Sequence, residues 1–382
     1  MLRLVWLVAG MMAMVVLAFA LLPAAGGEVR LALKQLRLLT TDAREEAKMG
    51  RGPALVGVSP VMTPRDYATR AAFHAKIAGY LKAARQAGLM PAGSIVVWPE
   101  HLGTWLVVMD APGIVTRAPG MGLAMTALAL ARPLALWQAF GRSQEADRLA
   151  AALFRSRGTA MADAYQDVFG DLARRFGVII VAGSIVLENP AVVDGRLITR
   201  PGPLYNTSVV FHADGRPDPA LVRKIYPIPS EQPFTTAADV MDLPVFPTPA
   251  GRLGVLICAD SWYPQTFARL AEQNVEIVAV PSFLQPDGVW DAPWKGYVTR
   301  WPADADPAAA GRLTEGEAWL TYGLAGRLAG GRARVGINVF LKGDLWGLGS
   351  DGRTTVVWPG GRFVSDVKQA AEIVAVPLGA IS

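Results

Sequence analysis

An α/β fold, a sheet with helices on its faces, follows from three observations. Residues 54–98 read as strand, helix and strand. Residues 254–280 repeat that order. The chain of 382 residues is 52% hydrophobic and only 18% charged, which supplies a large core for one big domain or two ordinary ones.

The chain begins with an apolar run. Residues 4–22 carry no charge, Arg3 precedes them, and Pro23-Ala24-Ala25-Gly26-Gly27 comes after. A helix needs about 20 apolar residues to cross a bilayer, whereas the apolar part of a signal peptide runs to about 7–15. The length favours one retained transmembrane helix within residues 1–26. The small residues at 23–25 keep a cleaved signal peptide as the alternative. Arg30, Lys34, Arg37 and Arg44 lie just beyond the run, and the positive-inside rule would hold the rest of the chain in the cytoplasm. A short leader before a long domain favours export, so the expected location is the cell membrane, single-pass, with the folded domain on the periplasmic side. Residues 27–52 are charged and helix-compatible and read as a juxtamembrane connector. Residues 53–382 read as the globular domain.

Within that domain, 54–59 reads as a strand. Residues 65–87 carry helical spacing at Ala68, Ala72, Ile77, Tyr80 and Leu81, and 94–98 reads as a second strand. The stretch 113–140 is unusually apolar but is broken by Arg132 and Pro133. It reads either as a core or surface helix or as an arm that touches membrane or an acyl chain. A helix is expected at 163–176. Strands are expected at 178–182, 184–187 and 208–212, the last closed by the Ala213-Asp214-Gly215 turn. The run 254–257 is a buried strand that stops at Cys258, with a helix next at 264–273 and a strand at 275–280. Residues 285–307, with Trp290, Trp294 and Trp301, read as a long ordered loop. Such loops are often lids or binding loops, and tryptophan also suits membrane interfaces; plain packing is the simpler role. Strands at 335–340, 354–357 and 373–376 complete the pattern.

Composition narrows the function. The net charge is +5, but the basic residues are scattered with no block of interleaved aromatics, which excludes a nucleic-acid footprint and suits anionic lipid headgroups. One cysteine excludes an intrachain disulfide framework and a multi-cysteine metal site. His74, His101 and His212 lie far apart without ligand spacing, so no metal site is expected.

Three segments carry chemistry. Ile95-Val96-Val97-Trp98-Pro99-Glu100 is an apolar strand running into a carboxylate. Leu221-Val222-Arg223-Lys224-Ile225 sets a lysine among apolar residues. Gly254-Val255-Leu256-Ile257-Cys258 ends in the lone thiol. Singly, each has an ordinary reading: a strand-end surface residue, a solvated lysine, an inert core cysteine.

Together, in this order, they resemble the nitrilase, or carbon–nitrogen hydrolase, superfamily. The matching segments are Val97-Trp98-Pro99-Glu100, Arg223-Lys224-Ile225 and Ile257-Cys258-Ala259-Asp260. They are supported by Tyr205-Asn206-Thr207-Ser208, the helix–strand run 267–282 and the Pro359-Gly360 turn. The resemblance covers about residues 53–378. It implies a four-layer α-β-β-α sandwich, which often pairs across a helical face into a homodimer. It also implies thioester chemistry without metal or organic cofactor. Glu100, Lys224 and Cys258 are the implied catalytic residues. A thiolate is a strong nucleophile; Glu100 would move its proton, and Lys224 would hold the oxyanion and lower the thiol pKa. The N–H of Ala259 would add a second oxyanion donor. Glu231 matches the further glutamate many members carry after the lysine, to position substrate or support Lys224. Asp260 is expected to be structural. Ala259 replaces the aromatic residue of many relatives, and 336–340 matches only loosely, so the pocket wall differs. The implied activity is a membrane-anchored amidase acting on a small amide. The alternatives are an N-acyltransferase taking lipid-linked acyl groups, similar to the nitrilase-like domain of apolipoprotein N-acyltransferase, and an inactive membrane-anchored binding protein.

Overall fold

The computed structural model of the chain describes residues 31–35, 52–297, 299–328 and 333–378. The expected transmembrane helix within 1–26 lies outside them, as does most of the 27–52 connector. The part of the connector that is described is not helical: Leu31–Gln35 forms strand β1, parallel to the last strand of the domain. The alternation in Leu-Ala-Leu-Lys suits an edge strand as well as a helix, and tertiary pairing decides between them.

Two sheets organise the domain. The first runs in the order β1, β17 (Ala371–Pro377), β2 (Ala54–Ser59), β3 (Ile95–Val97), β4 (Ile179–Val181) and β9 (Val210–Phe211). The second runs in chain order: β11 (Val245–Thr248), β12 (Gly251–Val255), β13 (Ile277–Ser282), β14 (Val335–Phe340), β15 (Thr355–Trp358) and β16 (Gly361–Val364). The central strands β2, β3 and β4 are parallel to one another, as are β12, β13 and β14. A small antiparallel sheet joins β10 (Val222–Arg223), β8 (Leu204–Ser208) and β5 (Ile185–Glu188), and β6 (Ala191–Val193) pairs with β7 (Arg196–Ile198).

The two large sheets face each other. Leu55, Ile95, Val97 and Val181 of the first pack with Leu253, Val255, Ile337 and Val339 of the second. A Cβ at Gly57 would lie 2.5 Å from Ile337 Cδ1 and 2.6 Å from Val339 Cγ1; a residue without a side chain lets the layers close there. Alternation along each strand sends Val56, Val58, Val96 and Ile180 to the opposite face. There they meet Phe73, Ile77 and Leu81 of helix α1 (Arg70–Gln86) and Tyr165 and Phe169 of α5 (Arg148–Phe176). The outer face of the second sheet is covered by α6 (Pro264–Glu272), α7 (Glu315–Tyr322) and α8 (Leu324–Arg327), through Leu270, Trp319 and Leu324. The result is the four-layer α-β-β-α order.

Several boundaries differ from those expected. The helix expected at 163–176 begins at Arg148, where Asp147 accepts a hydrogen bond from Ala150 N at 3.0 Å, and it ends at Gly177 with φ of 60°. The strand expected at 208–212 is two strands, β8 and β9, because the chain leaves the small sheet at Ser208 and joins the first large sheet at Val210. The apolar stretch forms α2 (Gly113–Arg117), α3 (Met121–Ala131) and α4 (Pro133–Arg142). Pro133 starts α4, and the two helices meet at 100°. No single helix among the described residues is long and apolar enough to cross a membrane. Leu130, Leu134 and Trp137 are 65%, 70% and 75% exposed on this pair, so it is not a core helix.

Candidate active site

The site assembles where parallel strands end. In open α/β sheets ligands bind outside the carboxyl ends of the strands, and here two sheets present those ends to each other. Glu100 comes after β3. Trp98 N still donates to Val181 O of β4 at 3.0 Å, and His101 N donates to Ser184 Oγ at 2.8 Å, so the backbone is fixed on both sides of the carboxylate. Gly183 makes this turn possible: its φ is +74°, and a Cβ there would lie 2.1 Å from Pro99 O. Cys258 comes after β12 and opens a 3₁₀ turn, Cys258–Trp262, with φ of 50°. A left-handed conformation at a non-glycine residue is costly and clusters at functional sites.

Lys224 comes from the small sheet. Its N–H donates to Asn206 O of β8 at 2.8 Å, and its side chain is fully buried. Lys224 Nζ donates to Glu100 Oε1 at 2.7 Å and to Glu231 Oε2 at 2.5 Å. Asn206 Nδ2 donates to the same two carboxylates, at 3.0 Å to Glu100 and 2.7 Å to Glu231. His101 Nε2 lies 3.2 Å from Glu231 Oε1. Glu231, expected from the resemblance, is thus brought into this cluster. Asn206 and His101 join it as well, although no sequence pattern singled them out as site residues.

Charge balance follows from these contacts. Burial works against the charge of Lys224, but Glu100 and Glu231 outweigh it and hold the ammonium well above the ordinary lysine value. Burial also disfavours an ionised Glu231, yet Lys224 and His101 keep it below the usual carboxylate range. Cys258 differs from expectation. Burial, then the charge of Glu100, push its thiol well above the ordinary value; Lys224 acts in the lowering direction but does not win. The resting pair is thus a thiol beside a carboxylate. Cys258 Sγ is 3.9 Å from Phe283 O.

Asp260 ties the parts together. Its Oδ1 accepts from Ile225 N at 3.0 Å and Tyr226 N at 2.8 Å, and its Oδ2 accepts from Ile257 N at 3.3 Å. Those bonds lock the residues after Lys224 to the strand end before Cys258. Burial raises this carboxyl to about 7, against the opposing pull of Lys224 and the two N–H groups. Glu100, His101 and Glu231 also place ligand atoms within 4.8 Å of one another. The Lys224 ammonium, bonded to both carboxylates, already supplies the positive charge a metal ion would bring.

Cys258 opens onto a cavity of about 200 Å³. Ala259, Trp262, Tyr263, Phe283, Trp294, Tyr297, Glu315 and Trp319 line it. The tryptophan-rich loop therefore contributes to the cavity wall through Trp294, while Trp290 packs against Phe340 at 6.0 Å between ring centroids. A larger cleft of about 460 Å³ lies elsewhere, between Pro190, Arg200, Arg223 and Asp242, and gathers no nucleophile.

Comparison with known proteins bears on the family and the fold. The carbon–nitrogen hydrolase family model matches residues 54–378. The probable hydrolase YhcX of Bacillus subtilis (strain 168) is 26% identical over 125 residues, which is 33% of this chain and 22% of that protein. The chain thus matches under a quarter of that relative's length. Among solved structures, a carbon–nitrogen hydrolase from Helicobacter pylori G27 aligns with a TM-score of 0.53 at 17% identity, covering 86% of this chain and 90% of that one. A nitrilase-superfamily amidase from Nesterenkonia AN1 aligns with a TM-score of 0.50 at 15% identity, covering 86% and 92%. At such identities the likeness shows the fold.

Proposed function

The chain belongs to the carbon–nitrogen hydrolase family, and on that premise we propose that it cleaves a small amide through a thioester on Cys258. The observation that carries this reading is the meeting of three groups from separate strand ends: the Cys258 thiol, the Glu100 carboxylate acting on it, and the buried Lys224 ammonium bonded to Glu100.

Glu100 takes the thiol proton while sulfur attacks the amide carbon. The thiolate forms in that step, in keeping with a resting thiol held protonated. The developing oxyanion is held by Lys224 Nζ and by Ala259 N–H. Ala259 lies in the first turn of a helix, where N–H groups have no intrahelical acceptor. Each such donor is worth about 3–4 kcal/mol. The carbon–nitrogen bond breaks as Glu100 gives its proton to the departing amine. Glu100 then takes a proton from water, the hydroxide attacks the thioester, and the acid leaves as the thiol is restored. Glu231 and Asn206 hold Lys224 and Glu100 in register.

A second reading has its own support. The exposed apolar residues of α3 and α4, together with the apolar run at 4–22, suit a lipid-proximal enzyme that loads Cys258 from a phospholipid and passes the acyl group to an amine. In this reading residues 1–26 tether the domain to the cell membrane.

Intact-protein mass spectrometry decides. Wild type and Cys258→Ala are incubated with an amide panel and, separately, with phospholipid vesicles. A small acyl mass on wild type alone supports the amidase. A fatty-acyl mass on wild type alone moves the transferase first. No acyl mass from either donor, on a protein whose thiol still alkylates, sinks the thioester reading.

A further inference from the structure

The cavity onto which Cys258 opens has a wall that the amide chemistry does not use. Trp262, Tyr263, Trp294, Tyr297 and Trp319 line it, and they come from separate parts of the chain: the turn after Cys258, the loop beyond Pro286, and α7. Trp262 and Trp294 stack at 5.9 Å and 30°, and other pairs meet at steep angles, like walls of a box. Trp262 and Trp319 are 4.9 Å apart at 77°, Trp262 and Tyr297 5.7 Å at 88°, and Tyr263 and Tyr297 5.5 Å at 69°.

One acidic side chain opens into this box. Glu315 is the first residue of α7, and its backbone N–H donates to Ala292 O at 2.8 Å, so its position is fixed. Its carboxyl has no salt-bridge partner within 4.0 Å among the described residues. The charged group acting on it is Lys295, which is exposed. Burial lifts the carboxyl to about 7, while the Trp319 indole and Lys295 pull the other way. Glu315 is half-buried, and a carboxylate partly withdrawn from water with no cation bonded to it is poorly compensated. The residues around it are the kind that hold cations: aromatic faces attract an ammonium within about 6 Å of the ring, most strongly once water is removed.

We propose that this wall is a cation subsite, and that the acyl part of the substrate carries a compact ammonium group, seated among Trp262, Trp294, Tyr297 and Trp319 with Glu315 as its counter-ion. The proposal rests on the amidase reading and names its substrate class. A neutral alkyl group would desolvate Glu315 without giving it a counter-ion. An anionic one would face a like charge. The cavity of about 200 Å³ holds roughly the share of six or seven waters, which suits a small head rather than a long chain.

The test uses a matched pair: betaine amide, which carries a trimethylammonium, and its neutral tert-butyl isostere, tert-butylacetamide. With wild type, kcat/KM for the cation should exceed that for the isostere by about tenfold or more. Glu315→Gln should cut the ratio several-fold, leaving only what the aromatic rings supply. Calorimetric titration of Cys258→Ala with both amides reads binding without turnover, and the same variant carrying Glu315→Gln should lose most of the difference. Equal handling of the two amides, a preference for the isostere, no binding of either, or a preference undiminished by Glu315→Gln would overturn the subsite. If neither amide is turned over but Cys258→Ala binds the cation tenfold tighter through Glu315, the subsite stands and the amidase reading falls.

Discussion

The two halves of the site are built differently. The polar half hangs from β-structure: Glu100 and Cys258 each sit three residues beyond a parallel strand, and Lys224 is hydrogen-bonded to β8. The aromatic half comes mainly from irregular chain, the turn at 258–262 and the loop before α7, with Trp319 on that short helix. Proton transfer and oxyanion binding tolerate little displacement, and ladder-borne residues are held most firmly. Selecting a substrate needs a shape, and loops supply shapes without disturbing the ladder. The first half should therefore fail steeply when altered, and the second gradually.

The steepest expected failure is Lys224→Met. It leaves Glu100 and Glu231, 2% and 3% exposed, without their cation. Breaking a buried pair in this way costs about 3–5 kcal/mol, and turnover should vanish. The pH dependence has a definite sign. In wild type Glu231 is held below its ordinary value of 4.5, so its stabilisation is present above that pH and is lost as pH falls. Without Lys224, burial dominates, the carboxyl pKa rises, and stability falls as pH climbs through it. Urea unfolding at about pH 5 and about pH 8 should show a deficit that grows toward the higher pH. An equal deficit at both would mean the lysine does not neutralise these carboxylates.

Glu100→Gln comes next, with effects of opposite sign. Losing the proton carrier should cut turnover by about a hundred- to ten-thousand-fold. Yet Glu100 is one of the groups that raise the thiol pKa. Its neutral replacement should give more thiolate at a given pH and faster alkylation by iodoacetamide. Slower alkylation in the variant would show that Glu100 activates the resting thiol rather than only receiving its proton during attack.

Legibility in the sequence divides along the same line. Glu100 and Cys258 each end an apolar run, and strand ends are readable from such runs; Lys224 alone reads as a solvated lysine, and only the resemblance carried by the three segments together singles it out. The four-layer order came from the resemblance those segments carry, and the packing of Gly57 against Ile337 and Val339 gives its physical basis. Asn206 stood out only as part of a matching strand. Its place between two carboxylates depends on the register of β8 against β5 and β10, which spacing does not encode. His101 reaches Glu231 from a residue with φ of 58°, a turn no periodicity announces. The sign of the thiol shift depends on depth of burial, a property of the packed molecule. Glu315 looks like an ordinary first-turn acid beside Glu317, which does serve the cap, accepting from Thr314 N at 2.7 Å. Only tertiary packing turns one of the two into the cavity.

The aromatic half should respond by about tenfold rather than by loss. Glu315 must be ionised to hold a cation, and burial sets its pKa at about 7 in the empty cavity. Tyr263 and Tyr297 also line the cavity, but burial raises both phenols, so they stay neutral in this range. Cys258 stays a thiol. The preference for betaine amide over its isostere should therefore rise with pH and level off above about 7. Because a bound cation favours the carboxylate, the midpoint in kcat should lie below that in kcat/KM. A ratio flat from about pH 5.5 to about pH 8 would remove Glu315 as the counter-ion.

The smallest expected effect concerns the surface pair α3 and α4. Leu134 and Trp137 are the most exposed large apolar side chains described, at 70% and 75%. Replacing both with glutamate should change stability by no more than about 0.5 kcal/mol, since little packing is lost. Turnover of a soluble amide should stay as in wild type, because neither residue lines the cavity. Loading of Cys258 from phospholipid vesicles should fall several-fold, because two carboxylates would then face the headgroups where an apolar face had entered. Unchanged loading would mean that this face has no part in reaching a lipid donor. The second reading would then rest on the N-terminal run alone, and the balance would tip toward the soluble, cationic amide that the aromatic wall fits.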